Sequence, residues 1–323
     1  MLNRRQIRIK ALQALYAHFQ SGTDDYISTE KFLKQNMKKL YELYIYQLSL
    51  LIEIVDIAEE RIEDGKNKYL PTEADLKPST KFIDNRFIHK LRNNKDYIAQ
   101  HENFKINWGG EREMLKKILA DIRSQSFYTK YLENAEDNFE QDKNIIINIV
   151  RKVLINNDNL KDYFEEKYFL WSEDFYMTLS FVLTSLDEID ENWAVEAKLS
   201  PLYKNAYDTN GRNEDEDFLF NLCRKCIANV DKYDALIKAR AINWEFDRIA
   251  AIDLVLMRMG MTEIFEFETI PLKVTLNEII ELAKHFSSAK SNIFINGMLD
   301  KTIEEGLKIG TIVKKGRGLI GQK

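Results

Sequence analysis

Turn-forming residues are scarce in this sequence. Twelve glycines and four prolines in 323 residues make about 5%, against an average nearer 12%. A β-sandwich or barrel needs a turn roughly every ten residues, so an architecture of many short strands is excluded. Cysteine is scarcer still: the two present exclude a disulfide scaffold and fit a reducing compartment, the cytoplasm. No stretch approaches the roughly 18 consecutive apolar residues of a membrane span. The richest run, Ile145-Ile146-Ile147-Asn148-Ile149-Val150, is far shorter. The first turns carry Arg4, Arg5, Arg8, Lys10, Gln13 and His18, which leaves no apolar core for a secretion signal. What is present, 45% apolar and 31% charged residues, is the composition of a folded globular chain. Its length suits about two domains, or one helical domain with a large insertion.

The net charge of −5 hides an asymmetry: residues 1–18 carry +4, residues 271–323 carry +4, and residues 19–270 carry −13. Such a distribution fits either a polyanion site assembled from both ends of the chain or clustering on solvated helix faces. The prolines mark breaks, since proline costs a helix interior about 3 kcal/mol: Pro71 and Pro78 in one polar stretch, Pro201 in another, Pro271 before a new helix. Before Pro71, Leu33, Met37, Leu40, Tyr44, Leu48, Leu51, Val55, Ala58 and Ile62 recur at three- or four-residue intervals, one stripe of an amphipathic helix or helix pair. Residues 201–217 read as a surface loop, and the basic, glycine-rich residues 311–323 as a disordered tail.

The middle contains an internal repeat. A shift of 73 positions superposes Asn148 on Asn221, Arg151 on Arg224, Lys152 on Lys225, Asn156 on Asn229, Asp158 on Asp231, Trp171 on Trp244 and Asp174 on Asp247. A fainter copy ends at Trp108, with Asn93 at the matching distance before it. Each unit reads helix, Asn/Asp turn, helix, Trp, apolar helix, the signature of stacked helical units. The expected fold is all-α.

Motifs that resemble catalytic or metal sites dissolve on inspection. Cys223-Arg-Lys-Cys226 has redox or zinc spacing, but the repeat aligns these cysteines with Val150 and Val153, so they read as small core side chains. Gly316-Arg-Gly318-Leu-Ile-Gly321 matches a dinucleotide fingerprint with neither the strand before it nor the helix after it that the chemistry needs. The four histidines are scattered, and no nucleophile–base pair or phosphate loop appears. The sequence reads as a non-enzyme with no cofactor or metal.

The signals that remain lie at the ends. Asn3 and Gln6 have capping-box spacing, so a helix starts there. Arg4, Arg5 and Arg8 then fill its first turns, where the positive end of the dipole disfavours cations and suits an anion. They mark a phosphate site or a frayed, solvated terminus. Ile7, Ala11, Ala14 and Leu15 form the core stripe and leave Tyr16 facing outward. After Pro271 comes a helix with Leu272, Leu276, Ile279, Ala283 and Phe286 on one face, then a Ser/Ala/Lys turn, then Lys290 and Phe294 four apart. A cation beside a ring is how single-stranded RNA is bound, although Phe294 by itself also suits a core position. Gly297 within that last helix suggests close backbone packing.

Three segments resemble the NusB transcription antitermination family: the arginine-rich start with Ala11-Leu-Gln13-Ala-Leu-Tyr16, then Lys273 through Lys284 with Asn277-Glu278 and Glu281-Leu-Ala, and Lys290 through Lys301 with Asn296-Gly297-Met-Leu-Asp300. Asn243 through Asp253 is similar to the family's fifth helix. The resemblance implies helical bundles from residues 1–62 and 216–310, interrupted by an inserted helical region at 63–215. It implies binding of boxA RNA in ribosomal RNA leader transcripts together with NusE, a ribosomal protein, in a complex that helps RNA polymerase resist termination. By the same resemblance Arg4, Arg5, Arg8, Lys290 and Phe294 contact RNA, and Tyr16 and Asp253 meet NusE. Asp253 aligns with Ser180 in the repeat, so the repeat's own packing does not demand its charge. The alternatives are a helical scaffold without RNA binding, and the NusB-like domain of an RNA methyltransferase, for which the required glycine-rich nucleotide-binding unit is missing.

Overall fold

The computed structural model describes residues 2–22, 25–204, 207–241 and 246–320. Among them the secondary structure is α-helix and short 3-10 turns without a strand; one isolated bridge joins Leu2 to Tyr203. The helices are α1 (Arg4–Ser21), α2 (Tyr26–Lys66), α3 (Glu73–Leu76), α4 (Arg86–Arg92), α5 (Lys95–Phe104), α6 (Arg112–Ser124), α7 (Ser126–Glu133), α8 (Phe139–Lys152), α9 (Asp158–Lys167), α10 (Trp171–Glu188), α11 (Glu214–Ala228), α12 (Val230–Arg240), α13 (Ala251–Glu266), α14 (Leu272–Phe286) and α15 (Ala289–Lys308). No described helix is long and apolar enough to cross a membrane.

Two compact units result: Met37–Leu202, and Leu2–Asn36 together with Tyr203–Lys323. Their limits fall elsewhere than the breaks suggested by proline and composition. Helix α2 runs unbroken past residue 62 to Lys66, so Pro71 marks only the following loop. The acidic run ending the expected 201–217 loop is instead the first turn of α11. Asn213 caps it, accepting from the Asp215 and Glu216 amides, and Glu214 to Asp217 complement the dipole.

In the first unit α2 is the central helix. Leu40, Leu43, Tyr44, Ile45, Leu48, Leu50 and Leu51 are buried all around it, so the expected single stripe becomes a full circumference. Rings pack against it: Tyr46 meets Trp108 at 5.5 Å and both Phe164 and Trp171 at 5.9 Å, each edge to face. Both indoles are satisfied, Trp171 by the Lys39 carbonyl (2.9 Å) and Trp108 by Ser49 Oγ (2.8 Å).

The repeat reaches the level of single hydrogen bonds. Asn156 donates to the Lys152 carbonyl after α8 (3.2 Å), and its equivalent Asn229 donates to the Lys225 carbonyl after α11 (2.8 Å). The fainter copy is visible as well: Asn94 caps α5 as Asn157 caps α9, and Trp108 stands before α6. Trp244 lies outside the described residues. Cys223 and Cys226 are fully buried, Cys223 against the Ala11 carbonyl of α1, as Val150 is buried in the sister helix. Burial pushes both thiols up, Cys226 to about 12, which keeps them protonated.

In the second unit α1 packs on α11 and α13, and α13, α14 and α15 pack on one another. Ile7, Ala11, Ala14 and Leu15 face that core. The segment after α15, expected to be disordered, is docked as far as Ile320. Its Ile312 and Lys314 are buried, the latter donating to the Glu263 and Phe267 carbonyls (3.0 and 2.8 Å) at the end of α13. A cation at a helix C-terminus satisfies carbonyls that the helix leaves unpaired, which composition alone does not reveal.

Candidate nucleic-acid interface

Helix α1 opens with the expected capping box, Asn3 Oδ1 accepting from the Gln6 amide and Gln6 Oε1 from the Asn3 amide, both at 2.9 Å. No acidic residue lies in its first turn, so its arginines find their carboxylates elsewhere in the second unit. Arg8 is turned inward. Its guanidinium is 2% exposed and forks onto Glu263, itself fully buried, with Nε–Oε1 at 2.6 Å and Nη2–Oε2 at 2.8 Å. Thr275 adds a hydrogen bond to the same carboxylate (3.1 Å), and Arg8 Nη1 donates to the Arg4 carbonyl (3.2 Å). Burial lowers the Arg8 pKa, but the charge and hydrogen bonds of Glu263 outweigh it and leave the guanidinium above its ordinary range. For Arg8 the two sequence-based readings, a phosphate contact and a solvated terminus, are therefore corrected: Arg8 locks α1 to α13, and its side chain presents almost no surface to a polyanion.

Arg4 and Arg5 differ. Arg4, 35% exposed, reaches Glu214 (2.9 Å) and Asp215 (2.8 Å) at the start of α11 and lies 4.6 Å over the Phe218 ring. Arg5, 47% exposed, forks onto Glu278 of α14 with two 2.9 Å bonds. The hydrogen bonds of that fork raise Arg5 and lower Glu278. Sequence spacing missed these acids because each is more than 200 residues from its arginine.

The second candidate element is the start of α15. Ser288 caps it, accepting from the Ser291 amide (3.2 Å). Lys290 is exposed in the first turn, where no acid stands, and makes no ion pair among the described residues. Phe294, one turn on, is half-buried, beside an Ile293 that is largely solvent-facing; Ile295, Met298 and Leu299 form the core side. Gly297 was expected at a close backbone approach, but a Cβ there would meet open space. Helix α14 connects the two elements: its Glu278 holds Arg5, and the helix packs against α15.

The expected protein-contact pair divides too. Tyr16 is outward-facing on α1 at 41% exposure. Asp253, in the first turn of α13, is buried and accepts a hydrogen bond from Ser287 Oγ, tying the start of α13 to the end of α14. That bond gives its carboxylate a folding role. Helices α1 and α13 run antiparallel, with Arg8 at Glu263 and Arg258 4.4 Å over the Phe19 ring. Arg258 also forks onto Asp234 (2.8 Å twice), a second inward arginine that no motif announced. Among the described residues no group of His, Cys, Asp or Glu is placed to hold a metal ion.

Residues 179–304 match the model of the NusB family. The chain is 43% identical over 105 residues to the transcription antitermination protein NusB of Salinibacter ruber, covering 32% of this chain and 66% of that protein. It is 42% identical over 105 residues to the protein of that name from Chloroherpeton thalassium (32% and 50%). Over 117 residues it is 37% identical to the Listeria welshimeri NusB (36% and 86%). The chain thus spans less than two thirds of the length of the first two relatives. No solved structure matches it.

Proposed function

Because this chain belongs to the NusB family, we propose that it is a non-catalytic, RNA-binding transcription antitermination factor. In this reading it binds boxA-type single-stranded RNA of ribosomal RNA leader transcripts together with NusE, within the antitermination complex of RNA polymerase. The observation that carries it is the pair Arg4 and Arg5: two half-exposed guanidiniums at a capped helix start that has no acid in its first turn. Their partners are Glu214, which is exposed, Glu278, which is half-buried, and Asp215, which is buried; ion pairs to exposed carboxylates such as Glu214 are worth only about 0–1 kcal/mol. A phosphate, which accepts a bidentate guanidinium fork, can replace them. Lys290 supplies a further cation and Phe294 a ring for a base. Tyr16 is the exposed side chain of the pair offered to NusE, and Asp253, bonded to Ser287, acts by holding α13 to α14. Arg8 belongs to this site as the residue that fixes α1, not as a phosphate contact.

The test is titration of the full chain with a labelled boxA RNA and a scrambled strand, with and without NusE. Arg4→Ala with Arg5→Ala should weaken binding and flatten the salt dependence, whose slope is about −0.7 per phosphate contacted. Phe294→Ala should cost about 1–3 kcal/mol of RNA affinity if the ring stacks on a base. The scaffold alternative draws on one observation, that every arginine at the start of α1 already has an acidic partner. A wild-type protein that binds neither strand at low salt would favour it.

A further inference from the structure

The docked tail has a consequence for this site. Several independent features hold it in place. Ile312 sits against Gly306, where a Cβ would come within 2.5 Å of the Ile312 side chain. Lys314 is buried with its ammonium on the Glu263 carbonyl of α13 and on that of Phe267, which follows the helix. The Lys315 amide donates to the Glu268 carbonyl (2.9 Å). Gly318 lies so close to that carbonyl that a Cβ would be 2.0 Å from its oxygen. A segment with no place to go would not need two glycines of this kind and a buried lysine.

What the docking positions is charge. Lys315, 67% exposed, faces outward on Glu268 (2.8 Å). Arg317, 78% exposed, brings its guanidinium to 3.8 Å from Glu214, the same carboxylate that holds Arg4 at 2.9 Å. The first and last basic segments of the chain therefore converge on one acidic side chain.

We propose that the docked tail is part of the polyanion site, with Arg317, and Lys315 beside it, as further phosphate contacts adjoining Arg4. This rests on the RNA-binding reading above. Arg317 and Lys315 are exposed and paired only with the exposed Glu214 and Glu268, so a phosphodiester strand exchanges with those carboxylates at little cost. Guanidinium forks suit phosphate. Such contacts position the strand without reading its sequence.

The experiment is fluorescence anisotropy of the full chain with the boxA RNA and with the scrambled strand across a salt series. Arg317→Ala should weaken both complexes by a similar factor, about tenfold for a charge-assisted bond, and reduce the salt slope by about 0.7. Lys314→Met keeps Lys315 and Arg317 but removes the anchor. It should expose the tail to trypsin and weaken RNA binding, while circular dichroism shows the helices intact. Wild-type affinity and slope in Arg317→Ala would overturn the proposal while leaving the RNA-binding reading standing. Wild-type binding by a Lys314→Met protein with a released tail would show that docking is irrelevant and overturn it too. A wild-type chain that binds neither strand removes the reading and the proposal together.

Discussion

The unit Met37–Leu202 packs rings around α2, whereas the unit joining residues 2–36 to 203–323 joins its helices through inward-facing arginine–carboxylate forks. Around α2 the contacts are those of Tyr46, Trp108, Phe164 and Trp171. In the other unit α1 and α13 meet through Arg8 and Glu263, α12 and α13 through Asp234 and Arg258, and the tail reaches α13 through Lys314. Both units use the same helix–Asn turn–helix plan, down to the Asn156 and Asn229 bonds. What differs is how neighbouring helices are held in register. Rings stabilise by area and tolerate sliding. A buried fork admits one register, because a shifted helix leaves a charge unpaired at low dielectric. A unit that has to present side chains in fixed geometry gains from the second device.

The largest expected effects test that contrast. Arg8→Met leaves Glu263 buried without its partner and should cost about 3–5 kcal/mol, while Arg8→Met with Glu263→Leu should recover most of it. Urea unfolding of the three proteins decides the matter, and a cost under 1 kcal/mol for the single variant would mean the pair is not locking α1. Trp171→Ala in the ring-filled unit should cost a similar 3–5 kcal/mol, and no compensating partner substitution should exist. Next in size are Asn156→Ala and Asn229→Ala, each removing one side-chain bond worth about 1 kcal/mol. Equal losses would bear out the repeat as an energetic unit; a loss in one alone would confine it to sequence.

A further effect is a pH response. Burial pulls the Lys314 ammonium down to about 8 from its ordinary 10.5, with Glu263 and Glu268 opposing. Below pH 8 both folded and unfolded chains carry the proton, so the penalty is constant. Between about 8 and 10.5 the unfolded chain binds more protons, and stability should rise with pH. Thermal unfolding of the wild type relative to Lys314→Met over that range measures this contribution; a falling difference would contradict it.

Local signals proved legible where the physics is local. The capping box at Asn3 and Gln6, the break at Pro271, the burial of both cysteines and the copies of the repeat all follow from spacing and from aligned positions. The candidate site was legible only in part. Lys290 is exposed and Arg4 and Arg5 are half-exposed on carboxylates, but Arg8 looked the same in sequence and is buried, because Glu263 stands 255 residues away. Asp253 looked available and is held by Ser287. The tail looked disordered because glycine and lysine are abundant in it, yet those residues fit a cradle made by Gly306 and the end of α13.

By itself the sequence determined the helices, their caps and the kinship of the repeated units, since these depend on residues within a few turns of one another. Only the tertiary structure decided which arginines face inward, which carboxylates hold the others, and where the last basic residues lie. Charge acts through space over a few ångströms, and neighbours at that distance are set by packing, whatever their separation along the chain.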